Sequence, residues 1–412
     1  MKYLRLIMFM LIVIFPAYVY ALEYPKLHYH NAIVYNLSEN EVMHSLEESE
    51  RASVASLTKI LTVITSLDLI DDLNAKIIYT KDMNNLVRWD TSKAGLKIGD
   101  EVSYLDLLYA SILPSGADAT IALAISLSGN IQNFVNKMNE NALKIGMYNS
   151  HFTNVVGLDD VNNYSTASDI LTLLKYALNN EIFKQVFTAK EYKLSNGLEI
   201  KSTLYTYNKK INKDFSRILG SKTGFTLNAG LCIGAYFTSK GQEILIVTLG
   251  AIKDNNVYNL TDTLSLIDFI DTNYSNKLVL SKDSYIKTLD VLGSTVKSYD
   301  IKISKDIYAY LPNDYNFNDL NIEYIGKNDI SFKDKKSSKL GDINIYYKDK
   351  IIYNESVYLE THIKRDLRKY YVCFILIIIF IILCTISILK FKKKTISINY
   401  NQFSIKGIKE NI

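Results

Sequence analysis

An uncharged run of twenty residues near the C-terminus of this 412-residue chain constrains its architecture more than any other feature. The run extends from Tyr370 to Leu389, with lysines and arginines before it and lysines after it. Because about 20 apolar residues cross the hydrocarbon core of a bilayer as a helix, the run predicts one transmembrane helix at residues 370–389. A buried core helix is the alternative, and the uninterrupted length of the run disfavours it.

The N-terminus has the composition of a secretory signal peptide. Basic residues occur within the first five positions, the apolar stretch Leu6–Phe15 follows, and a small residue stands at Ala21. We predict a signal peptide at residues 1–21, with an uncleaved anchor as the alternative. Export would place the folded part outside the membrane and residues 390–412 in the cytoplasm, since the balanced charges around the apolar run do not set its orientation.

Composition excludes several classes of protein. The hydrophobic fraction of 48% with 22% charged residues is typical of a globular core, and a net charge of +4 gives no support for nucleic-acid binding. Of the three cysteines, only Cys232 lies outside the apolar run. No intrachain disulfide and no zinc site of cysteines is therefore expected. We also expect that no other metal and no cofactor is needed.

The chain before the apolar run divides into two parts by pattern. Residues 22–275 mix helical and strand periodicities, which predicts an α/β (α+β) domain with an antiparallel sheet and a helical subdomain. Residues 276–362 contain short alternating segments and predict a small β-sandwich domain. The predicted strands are Ala32–Asn36 and the hairpin Gly230–Phe237 with Glu243–Leu249, and the predicted helices are Leu57–Leu69, Leu105–Ser128, Ile131–Lys144, Ala167–Ala177 and Leu260–Thr272.

Ser56 and Lys59 open a long apolar run that predicts a helix. Their spacing puts both side chains on one helical face, one turn apart. A neutral, desolvated lysine can take the proton of a serine hydroxyl, and a helix N-terminus stabilises a developing oxyanion. We therefore predict that Ser56 is a nucleophile and Lys59 its base. Ser-x-x-Lys also occurs at Ser284, Ser294 and Ser387, so the motif alone leaves open that Ser56 caps the helix and Lys59 is solvated.

Two further stretches accompany this motif in order. Leu113–Ala119 contains Ser115 fifty-nine residues after Ser56, and Gly220–Thr226 contains the single Lys-Thr-Gly of the chain, directly before the predicted hairpin. Order, spacing and strand context match the Ser-x-x-Lys, Ser-x-Asn, Lys-Thr-Gly set of penicillin-recognising serine enzymes. The combination is much more specific than any one part.

Over roughly residues 25–360 the chain resembles the D-alanyl-D-alanine carboxypeptidases, the serine-type, low-molecular-mass penicillin-binding proteins of bacterial cell walls. Linking stretches are similar too, such as Gly157–Asp160 and Tyr164–Ala167. The resemblance implies a substrate, the D-Ala-D-Ala end of peptidoglycan stem peptides, and covalent reaction with β-lactam antibiotics. Together with the signal peptide and the apolar run, it predicts a single-pass protein of the bacterial cell membrane, with its catalytic domain extracytoplasmic.

The resemblance assigns a role to each motif. Ser56 would form an acyl-enzyme, Lys59 would accept its proton, and Ser115 would relay protons to the leaving amine. Lys222 and Thr223 would hold the terminal carboxylate of the substrate, the N–H groups of Ser56 and Phe225 would stabilise the oxyanion, and Gly224 would let substrate lie close to the strand.

The chain departs from the family at Ala117, where the second motif has asparagine. Alanine offers no amide to the substrate, so we expect lower turnover or a changed substrate preference, with acylation retained. A DD-transpeptidase or endopeptidase on the same scaffold remains open, because cleft shape selects the acceptor. A serine β-lactamase is disfavoured, since no glutamate accompanies Asp159 and Asp160, and a non-catalytic wall-binding scaffold is disfavoured by the intact Ser56 and Lys222.

Overall fold

The computed structural model describes residues 24–206 and 213–407 of the chain. The predicted signal peptide, residues 1–21, lies outside the described residues. The chain divides into two compact units: one contains Met1–Lys277 with Tyr310–Tyr315, and the other contains Leu278–Ala309 with Asn316–Ile412.

The first unit is built on a five-stranded antiparallel sheet with strand order β2-β1-β9-β8-β7. The predicted first strand and the predicted hairpin of β8 and β9 are confirmed, and the Lys-Thr-Gly stretch is itself a strand, β7, at the sheet edge. Two small two-stranded sheets, β3 with β4 and β5 with β6, lie outside this sheet. The strands are β1 Asn31–Asn36, β2 Glu41–Leu46, β3 Lys76–Ile78, β4 Glu101–Ser103, β5 Glu191–Lys193, β6 Glu199–Lys201, β7 Ile218–Thr226, β8 Gly230–Ser239 and β9 Gln242–Ala251.

Eight helices of the first unit bear on the argument. The segment Leu105–Ser128, predicted as helical throughout, is instead two helices separated at residues 113–116. Pro114 disfavours helix at the residue before it and lacks an N–H, and Ser115 adopts a positive φ, so the helix cannot continue. The helices are α1 Thr58–Leu67, α2 Lys81–Asn85, α3 Tyr104–Ile112, α4 Ala117–Ser128, α5 Ile131–Ile145, α6 Ala167–Leu178, α7 Glu181–Thr188 and α8 Tyr258–Asn273.

The sheet buries both of its faces. Side chains alternate along a strand, so Ile33 and Tyr35 of β1 pack into the core formed with α1 and α3–α7, while Ala32 and Val34 pack on the opposite face with α8. Helix α1 is the central element of the larger core, because every residue from Thr58 to Ser66 is buried. Whatever stands at the N-terminus of α1 is therefore held by packing on all sides.

The chain after α8 forms the predicted β-rich domain. Strands β11, β12 and β15 form one three-stranded sheet, and β14, β16 and β17 form another. The strands are β10 Tyr274–Leu280, β11 Tyr285–Leu292, β12 Ser298–Lys302, β13 Ile307–Pro312, β14 Leu320–Gly326, β15 Asp329–Ser331, β16 Lys339–Tyr347 and β17 Lys350–Tyr358.

The apolar run near the C-terminus lies in a long helix, α9, Arg368–Gly407. Within α9 the segment Arg368–Lys394 is long and apolar enough to cross a membrane, and none of it is buried against the rest of the protein. Length, composition and exposure are thus compatible with the predicted membrane anchor.

Candidate active site

Ser56 lies in a 3₁₀ turn, Ala55–Leu57, that leads directly into α1. The N-cap positions of the turn and the helix are Val54 and Leu57, and neither makes a side-chain capping hydrogen bond. The hydroxyl of Ser56 is therefore not used as a helix cap, which removes the simplest structural explanation of the motif.

Lys59 is one turn further and only 2% exposed, so it is not the solvated lysine of the alternative interpretation. Its Nζ donates to Ser56 Oγ at 3.0 Å and to the carbonyl of Val156 at 2.7 Å. Burial lowers the pKa of Lys59 to about 7, although the nearby charge of Asp118 acts in the opposite direction. A substantial fraction of this amine is thus neutral near pH 7.

The turn that carries Ser56 is closely packed by two glycines. Ala55 has a φ of 47°, an uncommon value for a residue with a side chain. A Cβ on Gly157, whose φ is 87°, would lie 1.9 Å from the carbonyl oxygen of Ala55. A Cβ on Gly224 of β7 would lie 2.9 Å from the backbone nitrogen of Ser56. Only glycine at these two positions lets the loop and the strand approach the turn.

Ser115 of the second stretch occupies the break between α3 and α4, with a φ of 62°. It is buried, and its Oγ has no hydrogen-bond partner within residues 24–206 and 213–407. A buried hydroxyl without a protein partner costs free energy, and here it leaves the donor and acceptor of Ser115 uncommitted among the described residues.

Ala117 and Asp118, the two residues after Gly116, make contacts away from the hydroxyl of Ser56. Ala117 is fully buried and its N–H donates to the carbonyl of Ser92 at 2.8 Å. The carboxylate of Asp118 accepts hydrogen bonds from the backbone of Ala94, Gly95 and Leu96. Asp118 therefore fixes the 94–96 loop and does not replace the missing amide at position 117.

The third stretch is the edge strand β7, which packs against the 3₁₀ turn of Ser56. Lys222 is fully buried and its Nζ donates to the carbonyl of Thr223 at 2.8 Å. Thr223 Oγ1 is 3.0 Å from the hydroxyl of Thr203, and the Phe225 side chain is 45% exposed. Burial, and secondarily the charge of Lys59, hold the pKa of Lys222 well below its usual range. An arriving carboxylate would reverse this shift, because an opposite charge favours the protonated amine.

Asp159 connects the first and third stretches. Sequence reasoning expected the linking residues to brace the site and gave Asp159 no chemical role. Its carboxylate accepts from Ser53 Oγ at 3.2 Å, before the nucleophile, and from Thr226 Oγ1 at 2.6 Å, after Lys-Thr-Gly. It belongs to the loop that supplies the carbonyl of Val156 to Lys59. Asn154 holds that loop by accepting from the N–H groups of Val156, Gly157 and Leu158, distances 3.2, 2.7 and 3.0 Å. The linking stretch Gly157–Asp160 was the only sequence signal for this brace.

The structure thus brings the predicted Ser56, Lys59, Lys222 and Gly224 together around one turn. Ser115 follows helix α3, and its hydroxyl has no hydrogen-bond partner among the described residues. Ala117 leaves the site without a side-chain amide at that position. A buried neutral amine beside a serine hydroxyl at a helix N-terminus is suited to nucleophilic attack on an acyl group. Among the described residues, no group of histidine, cysteine, aspartate or glutamate has the arrangement of a metal site.

Comparison with known proteins identifies the family and the fold. Residues 19–253 match the family described as D-alanyl-D-alanine carboxypeptidase, and residues 274–365 match the C-terminal domain of penicillin-binding protein 5. The carboxypeptidase DacF of Bacillus subtilis is 26% identical over 297 residues, which are 71% of this chain and 75% of that protein. A D-alanyl-D-alanine endopeptidase of Haemophilus influenzae is 28% identical over 227 residues, 54% of this chain and 74% of that one.

Two solved structures have a similar fold. The chain resembles penicillin-binding protein 5 from Haemophilus influenzae with a TM-score of 0.62 and 22% identity, over 82% of this chain and 99% of that one. It resembles the Streptomyces K15 DD-transpeptidase with a TM-score of 0.54 and 26% identity, over 60% of this chain and 98% of that one. The first of these likenesses concerns the fold alone.

Proposed function

The chain belongs to the D-alanyl-D-alanine carboxypeptidase family of serine peptidases, and from this premise we propose that it removes the terminal D-Ala of peptidoglycan stem pentapeptides through an acyl-enzyme on Ser56. The observation that carries the proposal is the 3.0 Å contact between Lys59 Nζ and Ser56 Oγ. Lys59 is buried and its pKa is lowered to about 7, which supports a neutral amine acting as the base.

Acylation would begin with transfer of the hydroxyl proton of Ser56 to Lys59 Nζ. The hydrogen bond from Lys59 to the carbonyl of Val156 uses one N–H of the neutral amine and leaves its lone pair for the serine. As Oγ bonds to the penultimate carbonyl carbon, that carbonyl oxygen becomes an oxyanion. The N–H groups of Ser56 and Phe225 would stabilise this charge, and the close packing of Gly224 on the Ser56 turn supports their approach.

Collapse of this intermediate would break the C–N bond of the terminal D-Ala. The leaving amine needs a proton. The resemblance assigns the relay to Ser115, whose hydroxyl has no partner among the described residues and would pass on the proton that Lys59 took from Ser56. Water would then attack the ester, release the shortened peptide and return the proton to Ser56. Lys222 and Thr223 would hold the terminal carboxylate through a charge-assisted hydrogen bond.

A β-lactam would react at the same serine. Attack of Ser56 Oγ on the lactam carbonyl opens the ring, and the amine stays covalently attached through the rest of the molecule. The protein therefore gains the full mass of the antibiotic, which is attached through Oγ of Ser56.

Intact-protein mass spectrometry after incubation with penicillin tests the proposal. We expect an adduct on the wild type and none on Ser56→Ala, followed by release of D-Ala from a pentapeptide by the wild type alone. A folded wild type that forms no adduct would contradict an acyl-enzyme on Ser56 and favour a non-catalytic wall-binding scaffold. An adduct hydrolysed within seconds would favour the β-lactamase alternative.

Endopeptidase action on cross-linked peptides is the second candidate, because a relative of similar identity is named as an endopeptidase. Both reactions use the same acyl-enzyme and differ in the leaving group. Mass spectrometry of products from a pentapeptide and from a cross-linked dimer separates them: loss of D-Ala identifies the carboxypeptidase, and cleavage of the dimer identifies the endopeptidase.

We further propose that α9 anchors the catalytic unit outside a bacterial membrane. The exposed apolar segment Arg368–Lys394 supports this proposal. Fractionation of cells that express the full chain or a chain ending at residue 365 tests it: only the full chain should sediment with membranes and resist extraction by alkali.

A further inference from the structure

A groove of about 860 Å³ lies beside the candidate active site. It is formed by the segment before Ser56, the loop after Gly157, the turn between β7 and β8, and the adjoining ends of β1 and β9. Ser53 and Asp159 line it, and the same two side chains are hydrogen-bonded to each other beside the nucleophile. The groove is therefore continuous with the site through the brace of Asp159.

The order of the proposed substrate contacts along β7 points into this groove. The terminal carboxylate is assigned to Lys222 and Thr223, and the scissile carbonyl to the N–H of Phe225. A peptide bound in this order runs antiparallel to β7, so the residues before its scissile bond lie beyond Phe225. That direction leads to the β7–β8 turn, where Asn228 lines the groove.

Arg51 is the one lysine or arginine among the residues that line the groove. Its guanidinium stacks on the ring of Tyr164, with Cζ 4.6 Å from the ring centroid, and it forms no ion pair within the described residues. The side chain is exposed, so its N–H groups remain accessible to a ligand. Stacking on Tyr164 fixes the plane of the guanidinium and leaves its edge for a bidentate partner.

Three carboxylates line the groove beside Arg51, and each accepts hydrogen bonds from neutral donors, which occupy its oxygens but leave its charge in place. Glu50 accepts from Asn31 Nδ2 at 3.1 Å, Asp160 accepts from the N–H of Asn162 at 2.8 Å, and Asp159 accepts from Ser53 and Thr226. Asp160 is exposed at the rim of the groove. Arg51 is thus the charged group with the most hydrogen-bonding capacity left, and a carboxylate is the ligand that matches its geometry.

We propose that this groove binds the upstream part of the stem peptide and that Arg51 determines specificity by pairing with a side-chain or α-carboxylate before the scissile bond. The inference rests on the proposed function, because the direction of the peptide follows from the roles of Lys222 and Phe225. The chemical class of substrate is an acidic peptide with a free carboxylate at least one residue upstream of D-Ala-D-Ala.

Steady-state kinetics with matched peptides tests this assignment. The pair of pentapeptides differs only by amidation of the upstream carboxylates, and a diacylated L-Lys-D-Ala-D-Ala serves as a short substrate without them. For Arg51→Gln we expect kcat/KM for the acidic peptide to fall about fivefold, the effect of one partly exposed ion pair, with the other two substrates unchanged. Arg51→Lys should retain part of the preference, since it keeps the charge and loses the bidentate geometry.

Arg88→Gln is the matched control, because Arg88 is also exposed to solvent but already pairs with Asp90 at 2.7 Å. It removes the same charge and should leave the preference for the acidic peptide unchanged. An equal loss on all three peptides with Arg51→Gln, or no loss on the acidic one, would overturn the proposal.

Binding to Ser56→Ala separates this inference from the proposed activity. Calorimetry should show tighter binding of the acidic peptide than of its amidated counterpart, and Arg51→Gln in that background should abolish the difference. If the wild type releases no D-Ala and this difference persists, the activity fails and the subsite stands. If the activity is present and the two peptides bind equally, the subsite fails and the activity stands.

Discussion

The turns that carry Ser56 and Ser115 look alike and differ in one respect. Each directly precedes a buried helix and contains a non-glycine residue with positive φ, Ala55 at 47° and Ser115 at 62°. Such a conformation costs about 1–2 kcal/mol per residue, and both turns are held by packing. Ser56 has a partner, Lys59, one helical turn away, while Ser115 has none within the described part of the chain.

This difference indicates that the two turns contribute to different steps of the proposed reaction. The nucleophile and its base lie in one rigid segment, so their contact forms together with α1 and exists before substrate binds. The hydroxyl of Ser115 needs a partner from another element or from the substrate, and Ala117 cannot supply the amide that the family has there. We therefore expect acylation to depend on the first turn and turnover to depend on both.

The largest effect is expected for Lys59→Met. Methionine fills the buried space but has no base, so penicillin acylation measured by mass spectrometry should slow by about 10²–10⁴-fold. Thermal stability should not fall, because a buried amine is replaced by an apolar side chain. Lys137→Met, on the exposed face of α5, is the control and should acylate normally. Acylation of Lys59→Met at the wild-type rate would show that the first turn does not contain the base.

The dependence of the acylation rate on pH also tests the turn of Ser56 and Lys59. Only neutral Lys59 can accept a proton, and its pKa is lowered to about 7. The acylation rate should therefore rise with pH up to about 7 and then level, with a tenfold fall for each pH unit below that value. A profile that is flat from pH 5 to pH 8 in stopped-flow assays with a fluorescent penicillin would exclude Lys59 as the titrating base.

Ser115→Ala probes the second turn. Loss of one hydrogen bond or proton relay to the reacting atoms should slow D-Ala release by about 1–3 kcal/mol of barrier. Removing a buried hydroxyl without a partner should leave the free energy of unfolding unchanged or raise it by about 1 kcal/mol. Thr248→Val, which removes another buried hydroxyl without a described partner, should be equally stable and fully active. A normal release rate in Ser115→Ala would make the two turns functionally independent.

Ala117→Asn is expected to have the smallest effect on the chemistry. The added amide should change the rate of D-Ala release or the preference among peptides by up to about tenfold, while penicillin acylation continues. Since Ala117 is fully buried, the larger side chain should also cost about 1–3 kcal/mol of stability. Ala119→Asn, at another buried position of α4, should lose stability without any change of preference. Unchanged D-Ala kinetics in Ala117→Asn would rule out the expected role of this position.

The predictions that came from local sequence agree with the structure where a single element decides the outcome. The contact of Ser56 with Lys59 follows from the three-residue spacing on a helix, and the hairpin of β8 and β9 follows from two alternating runs with a short turn. The apolar helix α9 follows from length and composition. The break between α3 and α4 at residues 113–116 also has a local signal, Pro114 and Gly116. The continuous apolar pattern across these residues nevertheless predicted one helix.

Sequence alone determined the family, the order of the three motifs and the elements that carry them, because these depend on residue type and short spacings. Tertiary structure decided the properties that depend on distant segments meeting: the burial that lowers the pKa of Lys59, the carbonyl of Val156 that orients it, and the bridge of Asp159 from Ser53 to Thr226. The residues that form these hydrogen bonds are 67 to 106 positions apart in the chain, and no periodicity within one segment encodes them.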